Sequence, residues 1–383
     1  MTAGREEPAI VFGQRVLALL ETGSFTASYK YAVLLALIDA VLEGVDDRGD
    51  PPTVVHAIDV GRRVLAMYWP QTRPFTDAGP LRQSSQAGNI VEKIAQFRSD
   101  HHLGDHVTVE QARRRYPEEF AALERDVVAT VVRYPISLLQ KVGSGGRAVE
   151  QRFIYEYGWT DVIRPSAVHS PGFDDRMMLM DGAGGHLVAL AVLLRPIIQR
   201  DWLNFVAGRN DADVEELRLH QFLFGIDRIG LRVLVEPLHE LQHGKCFYCD
   251  QTGHGEWEVD HFLPWSRWPD NRLDNLVLAH ERCNNDKRAA LAGLEHVQRW
   301  WPRFEPASRI ASEVAQVAAA TNWPRRPAAT RNAARALYLS QPEGTVLWVA
   351  RPGRVETLDR RRLLAIMRAS FGLAAEEREE YDA

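Results

Sequence analysis

This chain of 383 residues contains three cysteines. All of them fall in one stretch, CFYCDQTGHGEWEVDHFLPWSRWPDNRLDNLVLAHERCNNDKR, from Cys246 to Arg288. Cys246 and Cys249 form a C-x-x-C pair, and His280 and Cys283 form an H-x-x-C pair further along. Two intervening residues let a tight turn aim both side chains of a pair at one tetrahedral ion. Two such pairs across a short excursion have the spacing of a structural zinc site. Thiols that only filled core space would be scattered along the chain, so Zn2+ is expected on Cys246, Cys249, His280 and Cys283. His280 leads as the fourth ligand because it is paired in sequence. His243 and His254 are rivals that lack that spacing.

Between and just after the pairs lie Asp260-His261, Asn275 and Asn284, which suit a different chemistry. Glu258 to Pro264 alternates polar and apolar residues, as a short strand does, with Asp260 and His261 on opposite faces and Pro264 at its end. Asn271 to Asp274 is turn-rich, and Asn275 to Leu278 returns toward the cysteines. From Cys283 onward the spacing is helical through Trp301, with Leu291, Leu294, Val297 and Trp301 as the buried stripe. The segment is therefore expected to be strand, loop, strand and helix.

These residues resemble the HNH endonucleases, ββα-metal nucleases with a zinc-stabilised finger. The resemblance rests on C-x-x-C at Cys246/Cys249, E-V-D-H-x-x-P at Glu258 to Pro264, D-N-L at Asp274 to Leu276 and C-N-x-x-K at Cys283 to Lys287. His280 stands where that family commonly has a cysteine. The resemblance implies metal-dependent hydrolysis of DNA phosphodiesters. His261 would activate water, since an imidazole is both neutral and basic near neutral pH. Asp260 and the side-chain carbonyl of Asn284 would hold one hard cation, Mg2+ or Mn2+. Asn275 would orient the histidine and fix its tautomer. Lys287 and Arg288, a turn into the helix, are candidates for phosphate contact.

The rest of the chain bounds this reading. Hydrophobic and charged fractions of 45% and 25% are those of an ordinary soluble globular protein. No apolar run is long enough to span a bilayer, and the first residues lack the basic-then-apolar order of a signal peptide. Scarce cysteine fits a reducing cytoplasm. A net charge of −5 excludes a basic coat but not a local basic patch. Residues 309–368 carry eleven arginines against four carboxylates and are the candidate patch.

The expected fold class is α+β and predominantly α-helical. Four parts are expected: a helical region over 1–140, a mixed region over 141–237, the nuclease domain over 238–305, and an arginine-rich helical segment with an acidic tail over 306–383. Within the mixed region, a strand is expected over Arg152 to Tyr157. A hairpin is expected to join Met177–Met180 to Leu187–Leu190 across Asp181 to Gly185. Pro196 should kink the following helix or mark its start. Arg195 reads as a surface arginine and Trp202 as a core residue. The glycine-rich KVGSGG lacks the order of a phosphate-binding P-loop and reads as an ordinary loop.

The expected partner is double-stranded DNA, with no membrane involvement. One active site per chain suits nicking by a monomer and double-strand cutting by a homodimer. Restriction or phage defence is the expected setting, by family analogy alone. Two rival readings remain: a non-catalytic protein that uses the finger to dock on DNA, and a nuclease that cleaves RNA.

Overall fold

The computed structural model describes residues 8–22, 26–75, 79–85, 90–142, 149–160, 162–210, 215–225, 228–253 and 256–368. His254, most of the glycine-rich loop and the acidic tail lie outside them. The chain forms two compact units, Met1–Ile226 and Asp227–Ala383. It is predominantly α-helical with small antiparallel sheets.

The first unit begins with α1 (Ala9–Thr22), α2 (Tyr29–Glu43), strand β1 (Val54–His56) and α3 (Ala57–Tyr68). Helix α2 is apolar on nearly every side, and residues 31–38 are all buried. A helix of that kind must be enclosed, and it packs against α3 and the long helix described below. Next come α4 (Ile90–Asp100), α5 (Val109–Arg115) and α6 (Pro117–Val131). The spacing suggests one helix from Val109 to Val132, but the chain breaks at Tyr116. Proline disfavours helical backbone in the residue before it, and Tyr116 has φ −136° and ψ 65°. Helices α3 and α6 approach so closely that a Cβ on Gly61 would lie 3.0 Å from Val128 Cγ2.

Strands β2 (Lys141–Val142) and β3 (Val149–Glu150) pair, followed by β4 (Tyr155–Tyr157), α7 (Pro165–Val168) and β5 (Arg176–Leu179). The expected strand over Arg152 to Tyr157 is thus only β4. A three-stranded sheet in the order β1-β5-β4 joins strands from either side of residue 141. The hairpin expected over 177–190 is absent. Gly182, at φ 75°, turns β5 directly into α8 (Ala183–Ala207), which takes up Leu187–Leu190. A side chain would be strained in that backbone conformation.

Pro196 lies inside α8, not at its start. Trp202 is fully buried, as expected of a core residue, but Arg195 is not on the surface. Its Nη2 donates to Asp39 Oδ1 at 2.5 Å within the core. Helix α9 (Glu216–Phe224) closes the unit.

The second unit opens with α10 (Arg228–Leu231) and α11 (Val235–Leu241), which lead to the cysteine turn. The expected strand-loop-strand-helix order follows as β6 (Trp257–His261), β7 (Leu276–His280) and α12 (Glu281–Lys287). The single helix expected through Trp301 is two. Arg288 leaves α12 at φ 51°, and α13 (Leu294–Trp300) starts after Gly293. Leu291, Leu294, Val297 and Trp301 are buried nonetheless.

Helices α14 (Arg309–Thr321) and α15 (Pro327–Leu339) come next. The segment then departs from the all-helical expectation with a hairpin, β8 (Val346–Ala350) and β9 (Arg354–Thr357), before α16 (Arg360–Arg368). Trp348 N donates to Leu291 O, and Gly293 N donates to Trp348 O at 2.7 Å, so the hairpin is stitched to the α12–α13 connection. A Cβ on Gly293 would lie 2.9 Å from Val349 Cγ2, an approach that requires glycine. The unit therefore continues well past residue 305.

Candidate active site and metal centre

The cysteine turn is held against β7. Phe247 N donates to Leu278 O, and Asp250 N donates back to Cys246 O. His243 and Asp250 have positive φ, at 54° and 55°, and bracket the turn. The other ligand pair sits where β7 becomes α12, which places His280 at the strand end and Cys283 in the first helical turn. The ligand atoms of Cys246, Cys249, His280 and Cys283 all lie within 4.8 Å of one another. That spread suits one tetrahedral ion with thiolate bonds near 2.3 Å, and three sulfurs with an imidazole form a zinc-type donor set.

His280 Nδ1 faces the sulfurs, 3.4 Å from Cys249 Sγ. Its Nε2 is buried against Gly253, where a Cβ would lie 2.8 Å away. The thiols compete for one charge. A hydrogen bond with Cys283 pulls Cys246 down to about 5, while the same bond, burial and the Cys246 charge push Cys283 up. A bound cation removes that competition, because the thiolate is the form that ligates.

The second cluster lies on the neighbouring face of β6. Asp260 Oδ2 accepts from Lys287 Nζ at 2.9 Å and from the hydroxyl of Tyr248 at 2.5 Å. Lys287 Nζ also donates to the His261 carbonyl at 2.9 Å, and its side chain is 0% exposed. The sequence suggested that Lys287 meets phosphate in solvent, but the register of α12 turns it inward. Burial and the Asp260 charge push the Tyr248 hydroxyl well above the ordinary tyrosine range, so it stays a neutral donor. Two residues back on the same strand face, Glu258 Oε2 accepts from Asn284 Nδ2 at 2.7 Å. Strand β6 and helix α12 are thus joined by two rungs, Glu258–Asn284 and Asp260–Lys287. Arg288, beyond the last turn, is exposed, and its Nε donates to Asn285 O.

His261 points away from these rungs. Its Nε2 lies 2.8 Å from Asn271 Oδ1, and its ring centroid is 5.1 Å from that of Trp265. An amide oxygen only accepts, so Nε2 carries the proton and Nδ1 is left as the basic nitrogen. Asn275, expected to orient the histidine, instead braces the loop between the strands. It is fully buried. Its Oδ1 accepts from Leu263 N, and its Nδ2 donates to the carbonyls of Leu263 and Asp270. Asn271 occupies the orienting position. Its own carbonyl accepts from Trp323 Nε1 at 2.7 Å.

Sequence reasoning missed Asn271, Glu258 and Tyr248 as site residues. Asn271 sits among turn formers that mask it. Glu258 and Tyr248 lie inside the quoted motifs, and the alternation of Glu258 with Asp260 was the available signal.

Residues 246–292 match the family described as HNH endonuclease. This segment is an HNH domain. Comparison with curated proteins and with solved structures found no match.

The HNH domain draws on residues beyond the matched segment. Asp274 is fully buried and takes Arg325 Nε and Nη2 on Oδ1 at 2.8 and 2.6 Å, with Arg326 N on Oδ2 at 2.9 Å. Asp286 Oδ2 accepts from Trp348 Nε1 at 2.8 Å and from Gly353 N at 3.1 Å. The arginine-rich segment is therefore less available than its composition suggests. Arg325 is committed to Asp274, Arg335 is buried over Trp301, and Arg309 pairs with Glu313.

Proposed function

We propose that this protein is a metal-dependent endonuclease that hydrolyses DNA phosphodiester bonds through its HNH domain. The observation that carries the reading is the presence of Asp260-His261 on β6 and Asn284 on α12, two elements joined by the Glu258–Asn284 and Asp260–Lys287 rungs, beside a four-residue cluster that could hold a metal, within the segment that matches the HNH family. His261 Nδ1 takes a proton from water as the water oxygen bonds to phosphorus, and the bond from phosphorus to the 3′ oxygen breaks. Asn271 holds the imidazole in the tautomer that this step needs.

The donor set also fits a hard cation. Among the described residues, the Oδ1 atoms of Asp260 and Asn284 have no hydrogen bond, and both are the oxygen type that Mg2+ or Mn2+ takes. A cation held there supplies charge neutralisation at the phosphate and stabilises the leaving oxygen. Zn2+ on the cysteine cluster would hold the finger together and take no part in chemistry. Arg288 is placed to meet a flanking phosphate.

Duplex DNA is the proposed substrate, and no helix among the described residues is long and apolar enough to cross a membrane. We place the activity in restriction or phage defence, in the cytoplasm, on family analogy. A homodimer would be needed for double-strand cutting.

The test is cleavage of supercoiled plasmid and phage DNA by wild type and His261→Ala, each with Mg2+, Mn2+ or EDTA. Metal-dependent cutting that disappears in the variant supports the reading, and undiminished cutting by the variant overturns it. One observation favours a second reading, DNA docking without catalysis: Lys287 already neutralises the carboxylate that the cation would use. Salt-sensitive DNA binding with no cutting under any metal condition would place docking first.

A further inference from the structure

A cleft of about 170 Å3 opens where the cysteine cluster, α12 and β8 meet. That is far more than the roughly 10–15 Å3 that admits one water. Tyr248, Cys249, Gln251, Cys283, Trp348 and Ala350 line it, and Tyr248, Cys283 and Trp348 are buried and so form its aromatic floor. Arg282 and Arg351 stand on its walls, both exposed, and neither has a hydrogen-bond or ion-pair partner among the described residues. Most other arginines in this unit are committed, to Asp274, Glu313 or backbone carbonyls. Two guanidinium groups that make no hydrogen bond among the described residues, one of them near the Asp286 charge, can receive a phosphate with an apolar sugar or base attached, over an aromatic floor. The cleft is also one side chain from the proposed chemistry, because Tyr248 lines it and donates its hydroxyl to Asp260.

We propose that this cleft seats one nucleotide of the DNA strand, next to the one being cut, with its phosphate held between Arg282 and Arg351. A peptide carboxylate would leave the aromatic floor unused, and an uncharged apolar molecule would leave both guanidinium groups unused. The inference rests on the endonuclease reading and adds to it a subsite with a named anchor on each wall. Arg351 comes from the hairpin, so substrate recognition would involve a part of the chain outside the matched segment.

The test is binding of a duplex oligonucleotide, followed by fluorescence anisotropy, with full-length, zinc-loaded His261→Ala protein and no added Mg2+ or Mn2+, so that nothing is cut and the finger stays intact. Arg282→Ala and Arg351→Ala should each weaken binding about tenfold. Each should also lower the dependence of log K on log salt by about 1, measured from about 50 to 200 mM. Ala350→Leu narrows the cleft at constant charge, and should weaken binding with an unchanged salt slope. Arg309→Ala, outside the cleft, should have little effect. The proposal falls if Arg309→Ala matches the two cleft variants, or if Ala350→Leu binds like its parent. Plasmid cleavage by the wild type separates the two readings: cutting with no effect of the cleft variants removes only the subsite. A wild type that neither binds nor cuts DNA removes both.

Discussion

His261 Nε2 and Asn271 Oδ1 are 2.8 Å apart, across the loop that joins β6 to β7. Asn271 is itself anchored by Trp323, which comes from beyond the matched segment. Asn271→Ala should therefore lower the cleavage rate by about 10-fold to 100-fold with little change in DNA affinity, the usual cost of losing a group that orients a reacting imidazole. Asn271→Asp keeps an acceptor at Nε2 but adds negative charge, which favours the protonated ring. Because the base must be neutral, the acidic limb of the pH–rate profile should move to higher pH. A rate loss in both variants with no movement of that limb would mean that Asn271 only supports the loop.

Lys287 and Asp260 form an ion pair whose side chains are 0% and 9% exposed. Removing one partner of such a pair leaves the other charge buried. Lys287→Met should cost about 3–5 kcal/mol in urea unfolding. Adding Asp260→Asn should restore part of that stability while leaving the protein inactive. A single variant as stable as wild type would show that water already reaches the carboxylate.

Cys249→Ser should lose bound metal and melt at lower temperature, because ligand binding and folding of such a turn are coupled. Metal content by a colorimetric chelator assay and the melting temperature are the two readings. Unchanged values in both would show that the four residues do not hold a structural ion.

Arg325 makes two bonds to the fully buried carboxylate of Asp274, next to Asn275. Arg325→Ala should destabilise the second unit by about 3–5 kcal/mol. Cleavage should fall as well, since Asn275 braces the loop that carries Asn271. Normal stability together with normal cleavage would show that solvent replaces the guanidinium at no cost.

The metal cluster was legible in the sequence because ligand spacing is a local property. Cys246, Cys249, His280 and Cys283 come together through one turn and one strand end, and both can be read from short patterns. The strand-loop-strand-helix order was legible for the same reason. What escaped the sequence depends on contacts between distant segments. Lys287 reads as an exposed helical cation until the register of α12 against β6 is known, and nothing local distinguishes Asn271 from its turn-forming neighbours. The hairpin β8–β9 was within reach: Val346, Trp348 and Val349 are β-branched or aromatic, and Pro352-Gly353 is a turn signal. The abundance of arginine around it drew attention to charge instead. Gly293 gave no hint that it is the point where the hairpin backbone touches the chain just past the matched segment.

That contact sets the smallest portable unit. The hydrogen bonds of Trp348 to Leu291, Gly293 and Asp286 tie the hairpin to the matched segment and its edge, beside the β-bridge of Ala292 to Trp348. A chimera that transplanted residues 246–292 alone would expose the apolar surface that Trp348 covers and would leave Asp274 without Arg325. Moving this domain into another protein requires a cassette that runs from α11 through β9.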